Sequence, residues 1–181
     1  MDASKSSPFI GLRAVFLIGF MGSGKTHWGK IWAAVNQLSF VDLDEVIENK
    51  AGKSVAAIFD TMGEDHFREL EAAALRTCID LKNTIVACGG GTPCFYDNMQ
   101  WMNDHGTTIY ITCTFEEIYQ RILAEKEKRP LLKKINRAEL IFFIEQKLKE
   151  REPFYKQAKS MVQSSLLTEN SFPGIIAVST T

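Results

Sequence analysis

The chain has 181 residues, 45% hydrophobic and 24% charged, the make-up of one folded domain with a single sizeable core, which excludes a disordered chain. Its 21 basic and 22 acidic residues leave a net charge of −1, so no general field draws it to nucleic acid or to an anionic membrane. No apolar run approaches the ~18 residues that span a bilayer, and the opening MDASKSSPF lacks the apolar centre of a signal peptide.

In chain order, AVFLIG at 14–19 is a short apolar run ending in glycine, and KTHWGKIWAAVNQ beyond the next loop has helical spacing. LSFVDLD at 38–44 reads as a second strand that stops on acids, followed by helices over 46–50, 55–60 and 64–81. TIVACGGG at 84–91 is a third strand that stops on glycines, and 98–103 is helical. TTIYITC at 107–113 is a fourth strand, helices follow over 115–126 and from 137 to about 159, and MVQSS around Met161 is a weak fifth strand. Strands that are apolar throughout and alternate with helices indicate a parallel sheet covered on both faces, with ligands at the carboxyl ends of the strands. The glycine and acid clusters fall at those ends. AEKEKRPLLKKINRAE, broken by Pro130, is either a solvated connection or a mobile flap, and no linker interrupts 14–165.

GFMGSGKT, from Gly19 to Thr26, matches G-x-x-x-x-G-K-[ST] between a strand and a helix. Its backbone N–H groups and the helix N-terminus suit phosphate oxygens, Lys25 suits the β- and γ-phosphates, and the Thr26 hydroxyl suits Mg²⁺. A plain turn of small residues does not explain Lys and Thr following in order. In VDLDE, Asp42 and Asp44 are two apart at the expected end of a strand and so leave it on the same face. Asp42 then belongs to the Mg²⁺ shell, through water, and Asp44 to an acceptor hydroxyl as base or orienting group; the competing reading makes Asp44 an N-cap.

GEDHFRELE places Arg68 and Glu71 at i and i+3 on a helix, which is either a surface ion pair or a guanidinium clamp for a carboxylate held by its glutamate. CGGGTPC cannot be a second phosphate loop, since no Lys-Ser/Thr follows and Pro93 interrupts the helix start. Gly89, Gly90 and Gly91 suit close approach of backbone to an acceptor, against the alternative of a flexible turn. Arg129 in KRPLL and Arg151 in EREPFY are further cations, the first able to reach the transferring phosphoryl group on closure. Cys78, Cys88, Cys94 and Cys113 form no C-x-x-C pair, and no histidine is spaced to complete a zinc site. They are expected as small apolar fillers, with Cys94 partly exposed.

Taken together, GFMGSGKT, DLD, GEDHFRELE, CGGGTPC, KRPLL and REPFY resemble the shikimate kinase family in order and rough spacing, from about residue 14 to 160. The resemblance implies an α/β three-layer P-loop kinase fold, its five-stranded parallel sheet in the order 2-3-1-4-5, with helices on both faces and a mobile lid over about 124–136. It implies phosphorylation of the 3-hydroxyl of shikimate by ATP, giving shikimate 3-phosphate and ADP, a step toward chorismate and the aromatic amino acids. ATP would be held by Gly22, Ser23, Gly24, Lys25, Thr26 and His27, with Arg121 near adenine and Arg129 on the lid. Mg²⁺ would be held through Thr26 and Asp42. Shikimate would meet Asp44, the arginines Arg68 and Arg151 at its carboxylate, and the backbone of Gly89, Gly90 and Gly91. Lys25, Asp44 and Arg129 would carry catalysis by in-line transfer. ENSFPGIIAV resembles the family's adenine loop, with Ser171 where arginine often stands.

Two alternatives stay open at this level. One is a kinase of another small hydroxy acid such as gluconate, which the glycine triplet with Arg68 and Arg151 disfavours. The other is a nucleotide-binding regulatory module without catalysis, which intact Lys25, Thr26, Asp42, Asp44 and Arg129 disfavour. The expectation is a monomeric cytoplasmic chain, one domain over 1–181 with 1–10 as a loose leader, and with no nucleic acid or membrane partner.

Overall fold

The computed structural model describes residue 9 and residues 11–125 and 136–179. Arg129, most of the expected lid and most of the expected leader lie outside the described residues. The chain runs β1 (Val15–Ile18), α1 (Lys25–Asn36), β2 (Ser39–Asp42), α2 (Leu43–Ala51), α3 (Val55–Arg76) and β3 (Thr84–Ala87). It continues through α4 (Asn98–His105), β4 (Thr107–Thr112), α5 (Phe115–Glu125), α6 (Arg137–Tyr155), β5 (Ser160–Gln163) and α7 (Phe172–Ser179). The five strands form one parallel sheet in the order β2-β3-β1-β4-β5, the order the resemblance implies.

Successive side chains of a strand point to opposite faces, and in β1, β3 and β4 both faces are buried. Phe16 and Ile18 of β1, Val86 of β3 and Tyr110 of β4 pack into a core with residues of α2 through α6. Val15 and Leu17, with Ile85, Ile109 and Ile111, pack on the other face against Trp32 of α1 and Phe172 and Ile176 of α7. Burial on both faces is why the strands are continuous apolar runs. Phe9, inside the stretch expected to be a loose leader, stacks edge-on against Phe172 at 5.3 Å.

The structure moves several boundaries. β2 ends at Asp42, so Asp44 leaves from the first turn of α2 and not from a strand. The cap of α2 is Asp42, whose Oδ1 accepts the Asp44 N–H at 3.1 Å, so the shared strand face and the capping role read for Asp44 are both corrected. The helices expected over 55–60 and 64–81 are the two halves of α3, separated at Gly63. Its φ of 84° and ψ of 171° break the helix in a region where only glycine sits without strain. α3 stops at Arg76 because the Thr77 and Cys78 N–H groups turn back to carbonyls three residues away. α6 likewise stops at Tyr155 and not near 159, with Gln157 and Ala158 bonding back to Phe154 and Tyr155.

Candidate active site

The loop from Gly19 to Thr26 joins β1 to α1 at the carboxyl edge of the sheet. Gly24 caps α1 in the left-handed conformation (φ 95°), so the chain turns into the helix with N–H groups facing inward. Lys25 opens the helix and is buried, its Nζ donating to the Gly19 and Phe20 carbonyls at 2.9 Å each. Thr26 follows on the exposed side and donates its hydroxyl to Asp42 Oδ2 at 2.9 Å. Asp42 therefore splits its two oxygens, one closing the start of α2 and one reaching the phosphate loop.

Asp44 projects from the next turn into the same cleft. Its carboxyl is pushed up from its ordinary 3.8 to about 6, chiefly by burial, then by the charges of Asp42 and Glu71, with Lys25 opposing. A carboxylate poised this close to neutrality, beside a lysine, is suited to accept or orient a proton.

The three glycines each face a different partner. A β-carbon on Gly89 would lie 2.6 Å from Glu71 Oε1 and 3.2 Å from Asp44 Oδ1. On Gly90 it would lie 3.4 Å from both Arg151 Nη1 and the Met21 backbone nitrogen, with Gly19 O at 3.5 Å. On Gly91 it would lie 2.5 Å from Arg68 Nη1. The second glycine loop thus forms a wall that meets the phosphate loop, both arginines and Asp44. The Tyr155 hydroxyl anchors it by donating to the Gly90 carbonyl.

Behind the wall lies a buried polar chain. Arg68 Nη1 donates to Glu71 Oε2 at 2.8 Å, and the Thr92 hydroxyl donates to Glu71 Oε1 at 2.6 Å. Asn98 Nδ2 donates to the Thr92 carbonyl at 2.9 Å, and Arg76 Nη1 donates to Asn98 Oδ1 at 2.9 Å. Glu71 is 1% exposed and Arg68 6%, so the surface-pair reading of Arg68 and Glu71 is excluded. Burial works against the Arg68 charge, but Glu71 and Glu64 outweigh it and its pKa rises. The sequence reading passes over Thr92, Asn98 and Tyr155. Thr92 and Tyr155 stand inside the quoted motifs, but nothing local marks a threonine or tyrosine as the support of a remote carboxylate or carbonyl.

The phosphate loop, Asp42, Asp44, Arg68, Glu71, the glycine triplet and Arg151 line one cleft of roughly 920 Å³. Of the expected site residues, Gly22, Gly24, Lys25, Thr26, His27, Asp42, Asp44, Arg68, Gly89, Gly90, Gly91, Arg121 and Arg151 line it. Ser23 does not: its side chain is buried under the loop, with no hydrogen-bond partner for its hydroxyl among the described residues. Arg121 is fixed at the rim, its Nη1 donating to the Gly22 carbonyl at 2.9 Å and to Ser164 Oγ at 3.1 Å. Cys78 and Cys88 are core residues, and Cys94 is half-buried with its thiol pushed up to about 11 by burial.

The sequence model of the family described as shikimate kinase matches residues 21–177. A shikimate kinase of Phocaeicola vulgatus is 42% identical over 155 residues, 86% of this chain and 89% of that one. The crystal structure of shikimate kinase from Bacteroides thetaiotaomicron superposes with a TM-score of 0.82 at 37% identity, covering 93% of this chain and 94% of that one. Shikimate kinase from Acinetobacter baumannii, solved in complex with shikimate, gives a TM-score of 0.80 at 28% identity over 92% and 91% of the two chains. A gluconokinase from Sinorhizobium meliloti, 12% identical with a TM-score of 0.55, shares the fold alone. With five of the six motifs gathered around one cleft, the sixth lying outside the described residues, and the family's pattern running from within the phosphate loop into α7, the chain belongs to the shikimate kinase family.

Proposed function

We propose that the cleft transfers the γ-phosphoryl group of ATP to the 3-hydroxyl of shikimate, giving shikimate 3-phosphate and ADP. The observation that carries this reading is the second glycine loop: the same spot beside Gly90 is 3.4 Å from both Arg151 Nη1 and the Met21 nitrogen of the phosphate loop, so donor and acceptor sites adjoin. In this reading the loop amides and Lys25 hold the β- and γ-phosphates. Arg68 and Arg151 fix the acceptor's carboxylate, and the amides of Gly89, Gly90 and Gly91 hold its ring hydroxyls. Asp44 aims the 3-hydroxyl and takes its proton as the new O–P bond forms and the bond to the β-phosphate oxygen breaks. Arg129 joins from the segment beyond α5, and Arg121 lies beside the adenine.

The metal fits the residues present. A threonine hydroxyl and a carboxylate 2.9 Å apart, with no cluster of three acidic, histidine or cysteine side chains among the described residues, are hard oxygen donors in small number. That suits Mg²⁺, which keeps several waters and phosphate oxygens. Thr26 and, through water, Asp42 would hold it. Bound there it would neutralise charge on the β- and γ-phosphates.

A coupled assay of ADP release over shikimate, gluconate and other hydroxy acids tests the reading. Release that depends on shikimate is expected, and equal turnover with gluconate or none with shikimate would overturn it. A monomer in the cytoplasm, folded as one domain, is the working form of this proposal. Light scattering at assay concentrations and a single unfolding transition are its checks.

A further inference from the structure

Arg68 is surrounded on every side. Glu71 holds Nη1, the Gly91 backbone leaves no room for a β-carbon beside Cζ, and the rings of Phe95, Phe67 and Phe59 stand 4.4, 5.1 and 5.7 Å from the guanidinium. The remaining edge, Nε and Nη2, is taken by a single oxygen of Glu64, at 3.2 and 2.9 Å. The two glutamates differ sharply in surroundings. The Glu71 side chain is 1% exposed and that of Glu64 is 54% exposed, while Arg68 between them is 7% exposed. Glu71 is built into the interior; Glu64 lies between the guanidinium and solvent.

Glu64 is also the first residue beyond the break at Gly63, so only one end of its turn continues as helix. Its bond to Arg68 is an i,i+4 pair with one partner largely in water, the kind that costs little to open.

We propose that Glu64 is a removable stand-in for the acceptor's carboxylate, occupying the guanidinium edge that the acceptor must take. The inference rests on the reading that Arg68 fixes that carboxylate. Nε and Nη2 already face one Glu64 oxygen, so an acceptor carboxylate that takes this edge displaces it, and binding exchanges one anion for another. The exchange has a consequence for specificity. A neutral polyol offers nothing that can replace a carboxylate on a guanidinium, whereas an acid of the right reach does so with little loss. Glu64 thus weakens every acceptor that needs this edge by the same factor, and its charge opposes an acid in addition.

The opposite role, a second brace holding Arg68 in place as Glu71 does, predicts the opposite sign. Glu64→Ala and the milder Glu64→Gln, in the full chain, are to be measured by calorimetry with shikimate and with its neutral methyl ester, and by steady-state kinetics. The expected result is a shikimate Kd lowered about two- to fivefold, the free-energy range of a half-exposed ion pair. The KM for shikimate should fall in parallel, the KM for ATP should stay put, and the preference for the acid over the ester should widen, because the charge removed repels only the acid. An unchanged or raised Kd in both variants overturns the proposal. Arg68→Lys separates the two levels. If it leaves the shikimate Kd unchanged, the carboxylate reading of Arg68 fails. If it weakens binding tenfold or more while the Glu64 variants do not tighten it, only the stand-in fails. In the Arg68→Lys background, Glu64→Ala should have lost most of its effect.

Discussion

Replacing Gly91 by alanine isolates steric room from backbone freedom. Gly91 has φ −92° and ψ −19°, a conformation any residue adopts, so the substitution adds no backbone strain. The added β-carbon would fall 2.5 Å from Arg68 Nη1 and 2.7 Å from Cζ and Nη2, whereas ordinary contact begins near 3.4 Å. Something must shift by close to 1 Å. A free arginine would swing aside, but this one is bonded to buried Glu71 and walled by three aromatic rings. Overpacking of this kind costs about 1–3 kcal/mol of stability, or roughly 2–12 °C in Tm for a chain of this size. A misplaced clamp of about 1 Å can cost on the order of 10²-fold in turnover efficiency. The assay is kcat/KM for shikimate and for ATP, with thermal unfolding alongside. The shikimate KM should rise steeply and the ATP KM hardly move. Gly90→Ala is the control, since its β-carbon would meet nothing closer than 3.4 Å and should cost far less. Wild-type KM and Tm in Gly91→Ala would refute the claim that the glycine is kept for Arg68.

Asp44→Asn should collapse kcat while ATP binding, followed by calorimetry, persists. The fold raises the Asp44 pKa from 3.8 to about 6, so it favours the protonated form and carries a penalty whenever the carboxylate is charged. That penalty is full above pH 6 and fades as the pH falls toward 4. Asp44→Asn should therefore be the more stable protein at pH 7.5 and lose that advantage near pH 4, as read by Tm against pH; wild-type kcat/KM should fall as the pH drops through about 6. Glu71→Ala removes the buried one of the two carboxylates on the Arg68 guanidinium and orphans the Thr92 hydroxyl, and should destabilise by about 3 kcal/mol in urea unfolding. Thr92→Val, which takes only the donor, should cost about 1–3 kcal/mol. Thr26→Val should raise the free Mg²⁺ needed for half-maximal rate by about tenfold, Thr26→Ser should restore it, and a chelator should abolish turnover in all three proteins.

Much of this site was legible in the sequence because its signals are local. The phosphate loop is a spacing of backbone-permissive and charged residues within eight positions, and the strands declare themselves by apolar runs of four to six residues. That Asp42 caps α2 while Asp44 leaves from its first turn was not legible. It depends on β2 ending at Asp42, and a strand end is fixed by pairing with β3, not by the two acids themselves. The roles of Thr92 and Asn98 were hidden for a similar reason. Thr92 lies 21 residues from the carboxylate it supports, brought there only when α3 packs against the turn after β3.

The sequence by itself determined the fold class, the phosphate loop and the family, since periodicity, turn chemistry and motif spacing are written along the chain. The tertiary structure alone decided what each polar group does. Glu64 and Glu71 lie four before and three after Arg68 on one helix and are equivalent on paper. Burial separates them, leaving one at 1% exposure and the other at 54%. A carboxylate sealed in the core keeps its partner, and one facing water can let it go.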